Sequence, residues 1–418
     1  MKEIYDPIHG FITITPLMEA VIDTPEFQRL RELKQLGATH YVFPSATHTR
    51  FEHSIGVSHL AGVVMTQLSQ VAKDNDDSFI ITPRHIELVR IAGLVHDIGH
   101  GPYSHLYDDY VVGYQGQKHE ERGCAIFEGM VQRYKLALKP EEVSLIQRMV
   151  NPTDKTDIRH WMFQIVSNKA CQLDVDKIDY IQRDCYYVGL KYSGQYLRLL
   201  TGCRRAYTHE GHEVLAWPLK LKHKVFTLFE TRYRLHKEVY HHPAIMAHEY
   251  VISRMLQTLA AHGTQLHQMT DSAVVCPFHT TLRADQARLA RRMVPKMIGE
   301  ISIHPSEEKK DPQGLRQILD ILIHKFTIGF SSHGGNPLRQ VYYFDPNETT
   351  SGPLVATRID PFAGSSLLPR GHQESIIRLY HVTGPNAATQ AEWEEMKARY
   401  PVSSGKAASY DTDSEADA

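Results

Sequence analysis

Ile86, Val89, Ile91, Leu94 and Val95 fall on a helix that is apolar round most of its circumference, and this helix runs straight into His96-Asp97-Ile98-Gly99-His100. A helix apolar on more than one face belongs at the centre of a bundle. Its end therefore delivers an imidazole and a carboxylate into an interior, where a charge needs a partner. Thr82 before Pro83 supplies the start signal, an N-cap followed by a first-turn proline. His53 opens a second run, with Leu60, Val64, Leu68 and Val71 at helical spacing, and a third helix is expected from about Asp176 to Tyr187. A long helical stretch covers roughly Lys222 to Ala261, interrupted near Pro243. The first 260 residues are accordingly expected to be mostly helical.

The texture changes after about residue 265. Val341-Tyr342-Tyr343-Phe344 and Ile376-Ile377-Arg378-Leu379-Tyr380 are β-rich runs between Gly, Pro, Asn and Ser clusters. The expected fold class is mainly α: a catalytic helical bundle over 1–265, then a smaller C-terminal α+β lobe over 266–400. Residues 401–418, with Asp411, Asp413, Glu415 and Asp417, read as a disordered acidic tail. With 46 Lys+Arg against 48 Asp+Glu, the chain is neither a polycation that coats nucleic acid nor an acidic solvating polymer. Cys124, Cys171, Cys185, Cys203 and Cys276 are scattered and form no CxxC pair, which argues against a disulfide framework or a cysteine zinc site. No apolar run approaches about 18 residues and Met1-Lys2-Glu3 opens no signal-peptide pattern, so a soluble protein of the cytoplasm or nucleus is expected.

Nine of the 26 histidines lie between His40 and His119. Scattered surface histidines would give the same count, so spacing decides. His96 and Asp97 point about 100° apart on a helix, so both reach one ion only beside a crevice between helices. His53 upstream and Asp176 downstream would complete a nitrogen and oxygen ligand set suited to Zn, Fe, Mn or Ni. Gly99 and Gly101 let backbone approach closely beside such a site.

The order His53, His96-Asp97, Asp176 resembles the HD metal-phosphohydrolase superfamily. More specific are Asp6-Pro7-Ile8-His9-Gly10, Asp23-Thr24-Pro25-Glu26-Phe27-Gln28-Arg29-Leu30-Arg31, Lys34-Gln35-Leu36-Gly37, Arg50-Phe51-Glu52-His53-Ser54 and Asp174-Val175-Asp176-Lys177. These resemble the catalytic core of the animal SAM-and-HD-domain deoxynucleoside triphosphate triphosphohydrolases, without the SAM domain. The likeness runs from Met1 to about residue 400 and is dense to about residue 250.

The resemblance implies a metal-dependent hydrolase in which water attacks the α-phosphorus of a dNTP, releasing deoxynucleoside and triphosphate. It implies His53, His96, Asp97 and Asp176 as metal ligands, with Mg accompanying the triphosphate. His105 matches the general acid for the leaving 5′-oxygen, Asp108 and His119 its hydrogen-bonding support, and His100 another phosphate-side histidine. Arg50, Lys177, Tyr180 and Arg232 resemble the triphosphate clamp, and His236 a further phosphate contact. Gln35 and Asp184 match the pair on the sugar 3′-hydroxyl, Tyr240 the ring beneath the sugar, and Leu36 the apolar contact near the base. Arg232, His236 and Tyr240 share one helix face at i, i+4, i+8; taken alone, that stripe reads more readily as an exposed polar face.

Family members are regulated by GTP or dGTP and a dNTP bound between subunits of a tetramer, in nucleotide-pool control or antiviral defence. Lys2, Asp23, Gln28 and Arg31 match the guanine-nucleotide site, with Lys325 kept and Ile321 standing near a lost arginine. Arg198, Lys220 and His242 match the adjoining dNTP site, whereas Glu3, Tyr5, Pro218, Lys224 and Pro243 depart from it. A homotetramer with altered dNTP co-activation and at most weak nucleic-acid binding is expected. The alternatives are another HD-type nucleotide phosphohydrolase or phosphodiesterase, or a nucleic-acid-binding homologue.

Overall fold

The structure, a computed structural model, describes residues 2–74, 80–113, 116–191, 194, 196–276, 279–303, 314–318, 320–331, 335–347, 353–361, 371–383 and 387–399. The expected tail at 401–418 lies outside the described residues. The chain divides into two compact units, one of residues 1–294 and 328–373, the other of residues 295–327 and 374–418. The expected lobe 266–400 is thus apportioned between them. The fold is mainly α with smaller sheets. Among the described residues no helix is long and apolar enough to cross a membrane.

The first unit is built round helices α1 (Arg50–Asp74), α2 (Pro83–Val95), α3 (His119–Tyr134) and α4 (Val175–Val188). Thr82 caps α2 by accepting from the His85 N–H at 3.2 Å, and the Thr82 N–H donates back to His85 Nδ1. Leu88, Val89, Ile91, Ala92, Leu94 and Val95 are all buried, each apolar side chain contributing about 1.5–3 kcal/mol if large. Helices α1 and α2 approach so closely that a Cβ on Gly93 would sit 3.1 Å from the Ser58 backbone. Glycine there sets the crossing that brings the C-terminal end of α2 to the N-terminal turn of α1.

The long stretch after residue 222 is divided as its proline suggests, but earlier. Helix α5 (Lys222–Leu235) passes into a π-helical turn, His236–Tyr240, before α6 (Pro243–Ala261) restarts. A π turn widens the helix by one residue and re-aims the side chains on it.

The mostly helical expectation misses two β pieces. Strands β1 (Lys2–Asp6) and β2 (Gly10–Ile14) form an antiparallel hairpin, Lys2 opposite Ile14 and Asp6 opposite Gly10. Its turn is pinned by the Asp6 carboxylate, which accepts from the N–H of Ile8 at 2.8 Å and of His9 at 2.9 Å. Only Ile12 and Ile14 carry a buried alternation, too short a signal beside the strong helical periods that follow. Strands β3 (Arg204–Tyr207) and β4 (Glu213–Pro218) pair in a second sheet of order β3-β4-β8-β9, where β8 is Tyr342–Phe344 and β9 is Thr357–Arg358.

The second unit holds a sheet of order β5-β10-β7-β6, formed by β5 (Lys296–Ile303), β6 (Gly314–Ile318), β7 (Ile321–Gly329) and β10 (Gln373–His381). Helix α7 (Ala387–Arg399) covers it through Met396 and Trp393; a Cβ on Gly299 would come within 2.3 Å of the Trp393 ring.

Candidate functional site

Three helix ends converge. His53 lies one turn into α1, His96 and Asp97 follow the last turn of α2, and Asp176 stands in the first turn of α4. That first turn is fixed by Asp174, whose carboxylate accepts from the N–H of Lys177 at 2.9 Å and of Asn168 at 3.0 Å. The His53 Nε2 lies 3.0 Å from Asp176 Oδ1 and 3.7 Å from Asp97 Oδ2. The His96 Nε2 lies 3.4 Å from Asp97 Oδ1 and 3.6 Å from Asp176 Oδ1. All four expected ligands therefore face one point.

Each imidazole is turned by its other nitrogen. His53 Nδ1 donates to Asp179 at 2.7 Å, and His96 Nδ1 donates to the Gly93 carbonyl at 2.8 Å. This leaves both Nε2 atoms turned toward the carboxylates, and that of His96 is buried without a hydrogen-bond partner among the described residues. Burial alone would raise the Asp97 carboxyl, but Arg50, His96 and His100 hold it well below the usual carboxylate range. Burial would lower His53, yet Asp176 and Asp179 outweigh it and raise it to about 10. Two ionised carboxylates thus draw positive charge between two imidazole nitrogens. The donor set fits a divalent transition metal.

Asp179, which the sequence reading passed over, anchors a buried network. Besides His53 it accepts from His9 Nε2 at 2.6 Å and from Arg183 at 2.8 and 3.0 Å, and Arg183 continues to Asp6 at 2.8 Å. A Cβ on Gly56 would fall 2.1 Å from Asp179 Oδ1, so the network needs glycine on α1. The available signal was the i, i+3, i+7 spacing of Asp176, Asp179 and Arg183 on one helix, together with Asp6 and His9 in the quoted N-terminal motif.

Beside the quartet stands a wall of histidines. His100 Nε2 lies 3.3 Å from Asp97 Oδ1, and its ring stacks on His119 at 4.0 Å. Asp108 accepts from His119 Nδ1 at 3.0 Å and pairs with Arg122. The expected support of His105 by Asp108 is thus indirect: His105 meets the others edge-on, 5.4 Å from His100 and 6.0 Å from His119. Surrounding protein, then Arg50 and His119, pull the His105 pKa down, and its exposure to solvent partly screens that pull. Tyr103 and Ser104, just before it, occupy the left-handed region at φ 57° and 52°. Asp271 accepts from the Tyr103 N–H at 2.7 Å and Ser104 Oγ from Arg50 at 2.7 Å, so distant groups hold this strained turn. Gly99 is required too, since a Cβ there would meet the His119 carbonyl at 2.0 Å.

Lys177, Arg232 and His236 gather on one side. Burial holds His236 well below the ordinary histidine range, and the nearby Arg232, His241 and Lys177 push it the same way. The Lys177 ammonium sits 5.6 Å from the Tyr180 ring centroid, and Arg232 donates to the Gly329 carbonyl at 2.5 Å. Arg50, expected in the phosphate clamp, is buried and bonds both Asp97 and Ser104, the latter at 2.7 Å. Tyr240 donates its hydroxyl to Asp184, Gln35 has a buried Oε1 without a hydrogen-bond partner among the described residues, and Leu36 packs on the main core.

The residues expected to bind regulatory nucleotides lie elsewhere. Lys2 pairs with Glu19, Gln28 accepts from Arg31 at 2.8 Å, and the Arg31 guanidinium stacks on Phe51 at 3.5 Å. Asp23 ends the helix Pro16–Ile22, Arg198 and Lys220 are exposed, and His242 caps α6 by accepting from Ala244 at 3.2 Å. Lys325 is buried in the second unit.

Residues 50–184 match the HD domain model. The chain is 30% identical over 461 residues to deoxynucleoside triphosphate triphosphohydrolase SAMHD1 of Mus musculus, covering 91% of this chain and 68% of that protein. The Gallus gallus enzyme of that name is 29% identical over 449 residues, covering 91% and 72%. An HD domain-containing protein of Acanthamoeba polyphaga mimivirus is 28% identical over 423 residues, covering 89% and 90%.

Proposed function

Because the chain belongs to the SAMHD1 family of HD-domain deoxynucleoside triphosphate triphosphohydrolases, we propose that it cleaves dNTPs to deoxynucleoside and inorganic triphosphate. The observation that carries the reading is the meeting of a His53, His96, Asp97 and Asp176 ligand set with a wall of Lys177, Arg232 and His236. One feature suits a metal, the other a polyanion.

His53, His96, Asp97 and Asp176 would hold a divalent cation, which when bound supplies Lewis-acid polarisation of a phosphoryl oxygen. Lys177 and Arg232 balance the charge of the triphosphate and orient it. Water attacks the α-phosphorus and the bond to the 5′-oxygen breaks. His105 protonates that oxygen, and His119, oriented by Asp108, stands beside it to supply a proton. A phosphate dianion close by raises a histidine pKa, which counters the downward pull on His105 in the free protein. Gln35 and Asp184 receive the 3′-hydroxyl, and Tyr240 closes the space beneath the sugar. No base-reading polar group belongs to this set, which suits a broad dNTP range.

The test is incubation with each of the four dNTPs, a divalent metal and ion-exchange separation of products. Triphosphate and deoxynucleoside in equal amounts are expected. Orthophosphate alone would point to another HD phosphohydrolase, and salt-dependent RNA binding with no turnover to a nucleic-acid-binding relative.

A further inference from the structure

Gln35 and Asp184 lie 149 positions apart in the chain, yet one residue holds both. Segments 33–35 and 48–50 run antiparallel: the Gln35 N–H donates to the His48 carbonyl at 2.9 Å, and the Arg50 N–H to the Leu33 carbonyl at 2.9 Å. The His48 ring turns the other way. Its Nε2 donates to Asp184 Oδ1 at 2.7 Å, and its face stacks on Tyr187 with centroids 4.4 Å apart and planes 14° from parallel. His48 and Asp184 are 2% and 1% exposed.

We propose that His48 is a positioning residue that sets selectivity for a free sugar 3′-hydroxyl. The proposal rests on the reading of Gln35 and Asp184 as the hydroxyl-binding pair. Asp184 receives His48 on one oxygen and the Tyr240 hydroxyl on the other, so its carboxylate plane cannot turn. Each oxygen keeps a lone pair for a further donor. Gln35 Oε1 is buried with no hydrogen-bond partner among the described residues, an acceptor in want of a donor. A hydroxyl can donate to one of this pair and accept from the Gln35 amide, and its position is then fixed by a strut neither residue supplies itself. If His48 only filled space, its ring stacking on Tyr187 would matter and its N–H would not. These two roles are separable.

The experiment compares dATP with 2′,3′-dideoxy-ATP on His48→Phe, which keeps a stacking ring and removes the donor, and on His48→Gln, which keeps an N–H. Both kcat and KM are read by triphosphate release, and dissociation constants by calorimetry on metal-stripped protein. His48→Phe is expected to lower kcat/KM for dATP about tenfold to a hundredfold, mostly through KM, and that for the dideoxy nucleotide about twofold or less. His48→Gln should recover much of the ratio. An equal loss on both nucleotides, or no loss on either, overturns the proposal. Asp184→Asn separates the two levels. If it leaves the dATP-to-dideoxy ratio intact, the reading of the sugar pair fails. If it collapses the ratio while His48→Phe does not, that reading stands and the His48 proposal alone is overturned. Should His48→Phe fail to fold, shown by circular dichroism, the ratio for His48→Gln against His48→Ala gives the same decision.

Discussion

His53 Nδ1 donates to Asp179 Oδ2 at 2.7 Å, with both side chains at 1% exposure or less. Five residues earlier on one segment and five later on the other, His48 meets Asp184 in the same antiparallel order. Helix α4 thus carries two carboxylates that are each bonded to a histidine, Asp179 to His53 and Asp184 to His48. Asp179 turns the His53 Nε2 toward Asp97 and Asp176, and its own pKa lies well below the carboxylate range: burial would raise it, but Arg183, His53 and His9 outweigh that.

Asp179→Asn should therefore weaken metal binding about 10–100-fold, the usual effect of losing an oriented partner behind a ligand. It should also cost about 3 kcal/mol of stability, because buried Arg183 would keep only Asp6. Metal titration by calorimetry and urea unfolding check the two parts separately. Metal affinity equal to wild type would show that Asp179 does not orient His53.

His96→Ala and Asp97→Ala should both abolish triphosphate release, since each removes a ligand. Their stabilities should differ. His96→Ala deletes a ring with one backbone bond and should melt near wild type. Asp97→Ala strands buried Arg50 and should lose about 3–5 kcal/mol. Product analysis with thermal melts decides this, and full turnover by either variant would sink the ligand assignment.

The sequence was informative where physics is local. The apolar period of α2, its Thr82 cap and the interruption before Pro243 are written within a few residues. The convergence of His53, His96, Asp97 and Asp176 was legible in part because buried charges at helix ends demand partners, and in part through the family motifs. Contacts between distant positions were not: Asp271 holding the strained turn at Tyr103 and Arg50 bonding Asp97 leave no periodic trace. Asp179 was hidden differently, standing in plain view three residues after a ligand but on a face whose partners come from the N-terminal hairpin.

Acid should destabilise the fold partly through His59. Burial, then His9 and Arg90, lower its pKa to about 4, with Asp6 and Asp179 pulling weakly the other way. The folded state therefore resists protonation that the unfolded chain accepts near 6.5, so stability is lost as pH falls from about 6.5 through 4. Solvent screening of this partly exposed ring leaves on the order of 1–2 kcal/mol. Urea unfolding of metal-free wild type and His59→Leu at pH 7, 5.5 and 4.5 should show a shallower acid decline in the variant. Parallel curves would exclude His59 as a source.

Ribonucleotides should be poor substrates. Tyr240 is tied to Asp184 through its hydroxyl and packs edge-on to His236 at 4.9 Å, so its ring cannot swing clear of a 2′-hydroxyl. A rigid wall rejects by clash, and dATP should be preferred over ATP by about a hundredfold. Tyr240→Ala should narrow that gap. Equal turnover of ATP and dATP by wild type would refute the role given to Tyr240.

Regulation is where this chain is expected to part from its relatives. Asp23 lies within electrostatic reach of Lys2, and Gln28 is bonded to Arg31, so the guanine-side residues expected from the resemblance fall into two pairs. Asp23 can pair with a guanine edge, and Lys2 and Arg31 with phosphates. Of the residues that depart from the relatives' dNTP site, Glu3 and Tyr5 stand on the exposed face of β1, and Pro218, Lys224 and Pro243 come later in the chain. Glu3 repels phosphate, and the two prolines offer neither a cation nor a backbone donor. GTP should therefore promote a tetramer and raise dNTP turnover, while the four dNTPs should differ from one another as co-activators. Analytical ultracentrifugation with GTP alone, each dNTP alone and both together, run beside initial rates, measures this directly. A fully active monomer indifferent to GTP would remove the regulatory reading and leave the metal and phosphate sites as they stand.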